Sequence, residues 1–144
     1  MIKSLRIGNI LHYKLFGDNV CIMGIGKNCI WLNDNKDAGP ISIDHFDPIL
    51  LTEYWLEKLG LIKKNMTEGL PEELQRPDID EDGNIFYSWV KGGVFNLEIQ
   101  SNGEIWFELY SHYKHIKWVH ELQNLYFSLT GEELILQETF KNLV

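Results

Sequence analysis

Long hydrophobic runs and the short signatures of common enzyme classes are missing from this sequence of 144 residues. No apolar run approaches the roughly 20 residues that cross a bilayer. Residues 1–11 lack the long apolar segment and the cleavage site of a secretion signal. The GxSxG, GxGxxG, P-loop, HExxH and CxxC motifs are also absent. We therefore expect no membrane span, no secretion signal and no complete catalytic set.

Cysteine is scarce, since the chain carries only Cys21 and Cys29. Both lie in apolar, strand-like contexts, where a free cysteine behaves as a small hydrophobic residue. The sequence favours two reduced core thiols and a reducing, cytoplasmic location, with a disulfide as the alternative.

Positive charge is also scarce, with 13 Lys and Arg against 21 Asp and Glu and a net charge of −8. Residues 37–110 carry most of the excess negative charge, because this stretch contains five basic and fifteen acidic side chains. An acidic surface repels polyanions, so nucleic-acid and membrane binding are not expected. A small basic patch near the N-terminus is either a solvated surface or a nucleic-acid contact. It comprises Lys3, Arg6, Lys14 and Lys27.

The 44% apolar content predicts a globular protein, and the pattern of strands and helices predicts one α+β domain over residues 1–144. Residues 1–50 form a barrel-like β subunit whose early strand and tight hairpin are similar to the opening of an SH3-like barrel. In that hairpin, residues 20–25 pair with residues 29–32 around a three-residue loop, Gly26 to Asn28. A loop of this length gives a register that places their apolar residues on one face.

Residues 51–144 form the second predicted subunit, which begins with a short helix between Thr52 and Gly60. Residues 63–81 have low apolar content and predict only one helical turn at Pro71. From Asn84 onward, the alternation of apolar and polar residues indicates an antiparallel meander.

The register of the second hairpin can be predicted from its hydrophobic pattern. A three-residue loop with Gly103 in the left-handed conformation pairs residue 97 with 107 and residue 99 with 105. This register is preferred over a two-residue Asn-Gly turn because it gives one coherent apolar face. That face comprises Phe95, Leu97, Ile99, Ile105, Phe107 and Leu109.

Residues 116–134 predict a long helix that ends at Gly131, a residue suited to a left-handed cap. Its apolar arc is wider than a surface helix needs. We expect this helix to pack on the apolar face of the meander. The arc comprises Trp118, Val119, Leu122, Leu125, Tyr126 and Leu129.

An acidic stretch starting at Asp78 matches the first half of a calcium loop. Asp78, Asp80 and Asp82 occupy alternate positions and Gly83 follows them, so their oxygens could converge on one hard cation. The twelfth position, where a closing Glu is expected, is Trp89. The alternative is a solvated acidic turn, and calcium is the one cofactor that the sequence leaves open.

His112, His115 and His120 form a second group of candidate side chains, suited to zinc or to acid–base catalysis. Their spacing matches no common ligand pattern. The alternative is three histidines at a strand-to-helix junction that cap backbone groups.

A candidate interaction surface lies on the meander face opposite Phe107. Alternation brings Trp106, Glu108 and Tyr110 to that face. They would form an exposed aromatic stripe suited to a protein partner. The alternative is that residues 63–81 cover it.

The segments HIKWVHELQNLYFSLTGEEL, RIGN and LLTEYWLEKLG span nearly the whole chain. Together they resemble a family of small uncharacterised proteins of gut-type bacteria and their phages. The resemblance implies a biological setting and no particular activity.

These observations favour a non-enzymatic binding protein with an unknown protein partner, in the setting of a phage or mobile-element accessory factor. The alternative is a metal-dependent enzyme that uses the acidic stretch or the histidines. A third hypothesis is nucleic-acid binding through the N-terminal basic residues. The sequence makes no prediction of the oligomeric state.

Overall fold

The computed structural model describes residues 2–32, 39–65, 67, 69–92 and 95–136. It is a mixed α+β structure built of short, mostly antiparallel strands and two α-helices, which confirms the predicted fold class. The helices and strands are β1 Ile10–Tyr13, β2 Asp18–Cys21, β3 Gly24–Gly26, β4 Cys29–Trp31, β5 Ile41–Ser42, β6 Phe46–Asp47, α1 Glu53–Lys58, β7 Ile62–Lys64, β8 Asp78–Ile79, β9 Ile85–Lys91, β10 Phe95–Ile99, β11 Ile105–Leu109, β12 His112–Ile116 and α2 Val119–Thr130.

The chain divides into two compact units, which are described separately. The first unit combines Met1–Leu50 with Trp118–Val144, and the second is Leu51–Lys117. Helix α2 belongs to the same unit as the N-terminal strands, where it contacts β1. The predicted packing of α2 on the meander, the SH3-like shape of residues 1–50 and the single domain stay predictions.

Two three-stranded sheets make up the β structure of the first unit, in the orders β2-β1-β6 and β3-β4-β5. Their side chains meet in one apolar cluster, in which the Tyr13 and Phe46 rings stack with 5.0 Å between centroids. Burying these side chains holds the unit together, at roughly 1.5–3 kcal/mol for each large apolar residue. The cluster comprises Leu11, Tyr13, Ile22, Ile30 and Phe46.

The predicted register of the first hairpin is wrong. Ile25 pairs with Ile30 and Gly26 with Cys29, so the loop has two residues, Lys27 and Asn28, rather than three. Asn28 adopts a positive φ of 62°, which asparagine tolerates better than most residues. The single strand predicted over residues 20–25 is also interrupted, because β2 ends at Cys21 and β3 begins at Gly24. This break brings Ile22 and Ile30 into the same core by tertiary packing rather than by one continuous hairpin.

Helix α2 is joined to the N-terminal strands by a buried amide. The Gln123 side chain is 1% exposed, and its Nε2 donates to the carbonyl of Gly8 at 3.1 Å. Its Oε1 accepts from the backbone N–H of Ile10 at 2.9 Å. Gly8 lies just before β1 and has a φ of +95°, so the backbone bends there. Gln123 thus supplies hydrogen bonds that the bent backbone cannot make within its sheet.

Polar contacts outside this amide also connect α2 to the N-terminal segment. The guanidinium of Arg6 forms an ion pair with Glu133 and lies 4.2 Å from the centroid of the Phe127 ring. Asn9, which is fully buried, donates through Nδ2 to Oδ1 of Asn124 at 2.8 Å. In the predicted basic patch, Arg6 is therefore engaged within the unit. Lys14 lies 3.7 Å from a carboxylate oxygen of Asp47.

The second unit contains α1 and the largest sheet, whose strands have the order β12-β11-β10-β9-β7. Strand β8 pairs with β9 as well. Helix α1 starts after Thr52, as predicted, and buries Trp55, Leu56 and Leu59. Residues 63–81, predicted to contain only one helical turn, hold the edge strand β8 and a 3-10 turn at Glu72–Leu74.

The predicted register of the second hairpin is confirmed. Leu97 pairs with Phe107 and Ile99 with Ile105, and Gly103 in the loop has φ of +87°. The rings of Phe95 and Phe107 stack with 5.0 Å between centroids. Five of the six predicted apolar-face residues are buried, and only Leu109, at the strand end, is 37% exposed. The hydrophobic pattern therefore decides which face of the sheet carries its apolar residues.

Candidate interaction surface

The side of the meander opposite Phe107 combines carboxylates with aromatic rings. Pairing sets Glu98 and His115 on either side of Trp106, and Tyr113 beside Glu108. Glu104, just before β11, has the same parity as Trp106. We call this surface the carboxylate–aromatic face. It comprises Glu98, Glu104, Trp106, Glu108, Tyr113 and His115.

Trp106 is held in position by two neighbours. Its ring stacks on the His115 imidazole with 5.1 Å between centroids and 25° between planes. Its Nε1 donates to a carboxylate oxygen of Glu104 at 3.0 Å. The indole is partly exposed. Two contacts of this kind pre-organise an aromatic side chain, so less conformational entropy is lost when it contacts a ligand.

Glu98 and Glu108 are close enough for their side chains to hydrogen-bond to each other. Burial of the carboxyl, followed by the negative charge of Glu108, raises the pKa of Glu98. The Tyr113 hydroxyl donates to Glu108 at 3.2 Å, and this hydrogen bond raises the pKa of Tyr113. Two carboxylates within hydrogen-bonding distance of each other favour a shared proton or a bound cation.

A cleft of about 440 Å³ opens beside Trp106. One of its walls is the acidic turn with Asp80 and Asp82, and another is the hairpin loop at Ser101 and Asn102. Glu104, Trp106 and Tyr113 also line the cleft. The fold therefore brings together two features that the sequence analysis treated separately, the acidic stretch and the aromatic stripe.

The three aspartates of the predicted calcium loop have different surroundings. Asp78 lies in β8 and is 8% exposed, while Asp82 is exposed in the turn. Asp80 Oδ1 accepts from the backbone N–H groups of Asp82 and Asn84, both at 2.9 Å. Within the described ranges, no group of three His, Cys, Asp or Glu side chains is arranged to hold a metal ion. Calcium binding here stays a prediction.

The three histidines lie on two different elements. His112 and His115 are on β12, and α2 follows this strand along the chain, so the predicted strand-to-helix junction is present. Residues three apart on a strand face opposite sides. His120 lies in the first turn of α2, where it is 2% exposed and its Nε2 is 3.1 Å from the Lys3 carbonyl oxygen. Burial lowers the pKa of His120, which favours a neutral structural histidine.

The sequence predicts that Tyr110 continues the alternation of β11. In the structure it does not. Leu109 pairs with His112, so Tyr110 and Ser111 form a two-residue hairpin loop with φ of +47° and +67°. Two positive φ angles are typical of a type I′ turn, in which Asn-Gly is strongly preferred. A bulky residue in this conformation is strained. The Tyr110 side chain is nevertheless 89% exposed.

Cys21 and Cys29 are free thiols, as predicted, but both are half-buried rather than in the core. No helix among the described residues is long and apolar enough to span a membrane.

Comparison with known proteins finds no match to this chain among protein-family models, curated proteins or solved structures. The family resemblance stays a prediction.

Replacing the strained turn by Asn-Gly is expected to stabilise the protein. We expect the double variant Tyr110→Asn/Ser111→Gly to raise the free energy of unfolding by about 1–2 kcal/mol, because both replacements accept positive φ more readily. Urea denaturation followed by far-UV circular dichroism measures the change.

The control for the turn variant is Ser101→Gly, in a neighbouring hairpin loop where the serine has no positive φ. There, added backbone freedom in the unfolded chain should lower stability slightly. A loss of stability in Tyr110→Asn/Ser111→Gly would contradict the strained geometry of the turn.

Proposed function

We propose that this protein is a non-enzymatic binding protein that contacts a protein partner through the carboxylate–aromatic face and the adjacent Tyr110 turn. The observation that carries the proposal is the exposure of large aromatic rings on one hairpin. Tyr113 is 59% exposed and Tyr110 is 89% exposed, and Trp106 is partly exposed beside the cleft. Tyr and Trp are enriched where protein partners bind.

The strained turn supports the same proposal. A tyrosine with positive φ costs stability that Asn-Gly would not cost. Residues in sparsely populated backbone conformations are frequent at binding sites. An exposed ring makes few contacts within its own chain that could offset the strain, so a contact of Tyr110 with another molecule accounts for the choice of residue.

The biological setting is part of the proposal and rests on the sequence resemblance. We propose a cytoplasmic accessory factor of a phage or mobile element. The net charge of −8 supports a protein partner rather than nucleic acid. The engagement of Arg6 and Lys14 with Glu133 and Asp47 points the same way.

Site-specific cross-linking tests this proposal. The photoreactive residue p-benzoyl-phenylalanine replaces Tyr110 in the full chain, which is then irradiated in a lysate of the organism that carries the gene. We expect a discrete cross-linked protein of higher mass. The matched control carries the same residue at Tyr54, which is 52% exposed on α1.

Equal products from positions 110 and 54, or none from position 110, would overturn the proposed interaction surface.

Thermal unfolding with added Ca²⁺ or Zn²⁺ tests the alternative of a metal-dependent enzyme. A ligand that binds only the native state raises its stability. A large, chelator-sensitive rise in Tm would therefore favour the alternative over a binding protein without a cofactor.

A further inference from the structure

The chemistry of the carboxylate–aromatic face indicates what kind of partner it accepts. We infer that this face binds a basic segment of the partner protein, with an arginine side chain entering the cleft beside Trp106. The inference rests on the proposed function and specifies the partner's chemistry. Three observations support it: the charge of the cleft, the aromatic platform and an unpaired acceptor.

The cleft and the face beside it are strongly negative. Asp80, Asp82 and Glu104 line the cleft, and Glu98 and Glu108 lie on the adjoining face. In the described part of the chain, the ion pairs of lysine and arginine involve other carboxylates than these five. The mutual repulsion of Glu98 and Glu108 is relieved when a cation binds between them. Charge complementarity therefore favours a basic ligand over a neutral or acidic one.

Trp106 provides a platform that suits a guanidinium. A cation within about 6 Å of an indole centroid gains roughly 0.5–2 kcal/mol, and arginine is found in such contacts more often than lysine. The indole N–H is already used by Glu104, so the ring is fixed while part of its surface stays exposed. A planar guanidinium can stack on an indole and donate to carboxylates at the same time.

An unpaired acceptor lies on the same side of the sheet. Asn96 is two residues from Glu98 on β10, and its Oδ1 is buried with no hydrogen-bond partner among the residues that the structure describes. A buried acceptor without a donor costs roughly 1–3 kcal/mol. By strand parity, Asn96, Glu98 and Glu108 are acceptors on one side of the sheet. Arginine matches such a set because it carries five N–H donors and no acceptor.

Titration of the full chain with defined peptides tests this inference. The probe is hexa-arginine, with hexa-lysine and hexa-glutamate for comparison, and isothermal calorimetry at low salt measures the affinity. We expect hexa-arginine to bind more tightly than hexa-lysine, and hexa-glutamate not to bind. In Glu98→Gln/Glu108→Gln, the affinity for hexa-arginine should fall about tenfold or more, which equals about 1.4 kcal/mol or more.

The matched controls remove equal charge elsewhere in the same unit. Glu53→Gln/Glu57→Gln carries two isosteric replacements on α1, away from the cleft lining. We expect it to bind hexa-arginine nearly as well as wild type. An equal loss of affinity in both double variants would mean diffuse attraction to an acidic protein and would overturn the inference. Absence of hexa-arginine binding to wild type would also overturn it.

The wild-type and variant proteins must be compared in the folded state. Removing the repulsion between Glu98 and Glu108 should maintain or raise the Tm of Glu98→Gln/Glu108→Gln, so failure to fold is not expected. Cross-linking at position 110 without hexa-arginine binding would reject the basic ligand and leave the interaction surface in place. Hexa-arginine binding without cross-linking would support the basic site and reject the Tyr110 contact.

Discussion

Replacing Gln123 by Leu is expected to lower the free energy of unfolding by about 2–6 kcal/mol, since each buried polar group without a partner costs about 1–3 kcal/mol. The variant keeps the helix propensity of this position, and its side chain is one atom shorter than that of glutamine. It removes both hydrogen bonds of the Gln123 amide, to the Gly8 carbonyl and to the Ile10 N–H. Because Gln123 is 1% exposed, water cannot replace these bonds without rearrangement.

Chemical denaturation of the Gln123 variant measures this loss, with Ser128→Ala as the control. Ser128 is on the same helix, is exposed, and donates only to the Asn124 carbonyl. We expect a change of no more than about 0.5 kcal/mol for the control, as is usual for surface substitutions. A Gln123→Leu protein as stable as wild type would mean that the two hydrogen bonds of the Gln123 amide do not contribute to stability.

Replacing Phe107 by Ala is expected to lower the free energy of unfolding by about 3–5 kcal/mol, the usual cost of deleting a buried aromatic ring. Phe107 is 5% exposed and stacks on Phe95 in the apolar face of the meander. Its sequence neighbour Trp106 is larger but lies on the opposite, partly exposed face. We therefore expect a smaller loss of stability from Trp106→Ala than from Phe107→Ala.

The pair of variants also separates stability from binding. Trp106→Ala should remain folded at room temperature and lose affinity for hexa-arginine, while any loss of affinity in Phe107→Ala should follow its unfolding. Urea denaturation and calorimetry on both proteins give the two quantities. If Trp106→Ala were the more destabilising change, the two faces of the hairpin would be assigned the wrong way round.

The hairpin of β10 and β11 is where the sequence predicts most. Residues of period two lie on one face of a strand, so a one-residue shift would move the whole apolar set to the other side. That constraint selects the pairing of Leu97 with Phe107 over the two-residue Asn-Gly alternative. The same parity correctly places Trp106 and Glu108 opposite Phe107.

The hairpin of β3 and β4 is where this reasoning fails. The prediction of its register assumes that residues 20–25 form one strand. In the structure, β2 ends at Cys21, and β3 belongs to a second sheet. Ile22 and Ile30 then share a core, although the pairing of Ile25 with Ile30 would place them on opposite faces of one continuous hairpin. Tyr110 is a second case, because the start of β12 at His112 forces a two-residue turn that the composition does not favour.

The candidate site depends on contacts between distant segments. The acidic stretch at Asp80 and the stripe at Trp106 are both visible in the sequence, but 26 positions separate them. Only the pairing of β8, β9, β10 and β11 brings them to one cleft. No spacing rule predicts the Glu98–Glu108 contact, because it joins different strands and depends on the register between them.

The amino-acid pattern by itself determined the α+β class, the two helices and the register of the β10–β11 hairpin. These features follow from local periodicity and from turn residues such as Gly103 and Gly131, whose backbone preferences act within a few positions. The tertiary structure alone decided that α2 contacts β1, that Gln123 joins them, and that acidic and aromatic groups share a cleft. An apolar arc specifies that a helix must be buried but not against what, because hydrophobic burial has no direction.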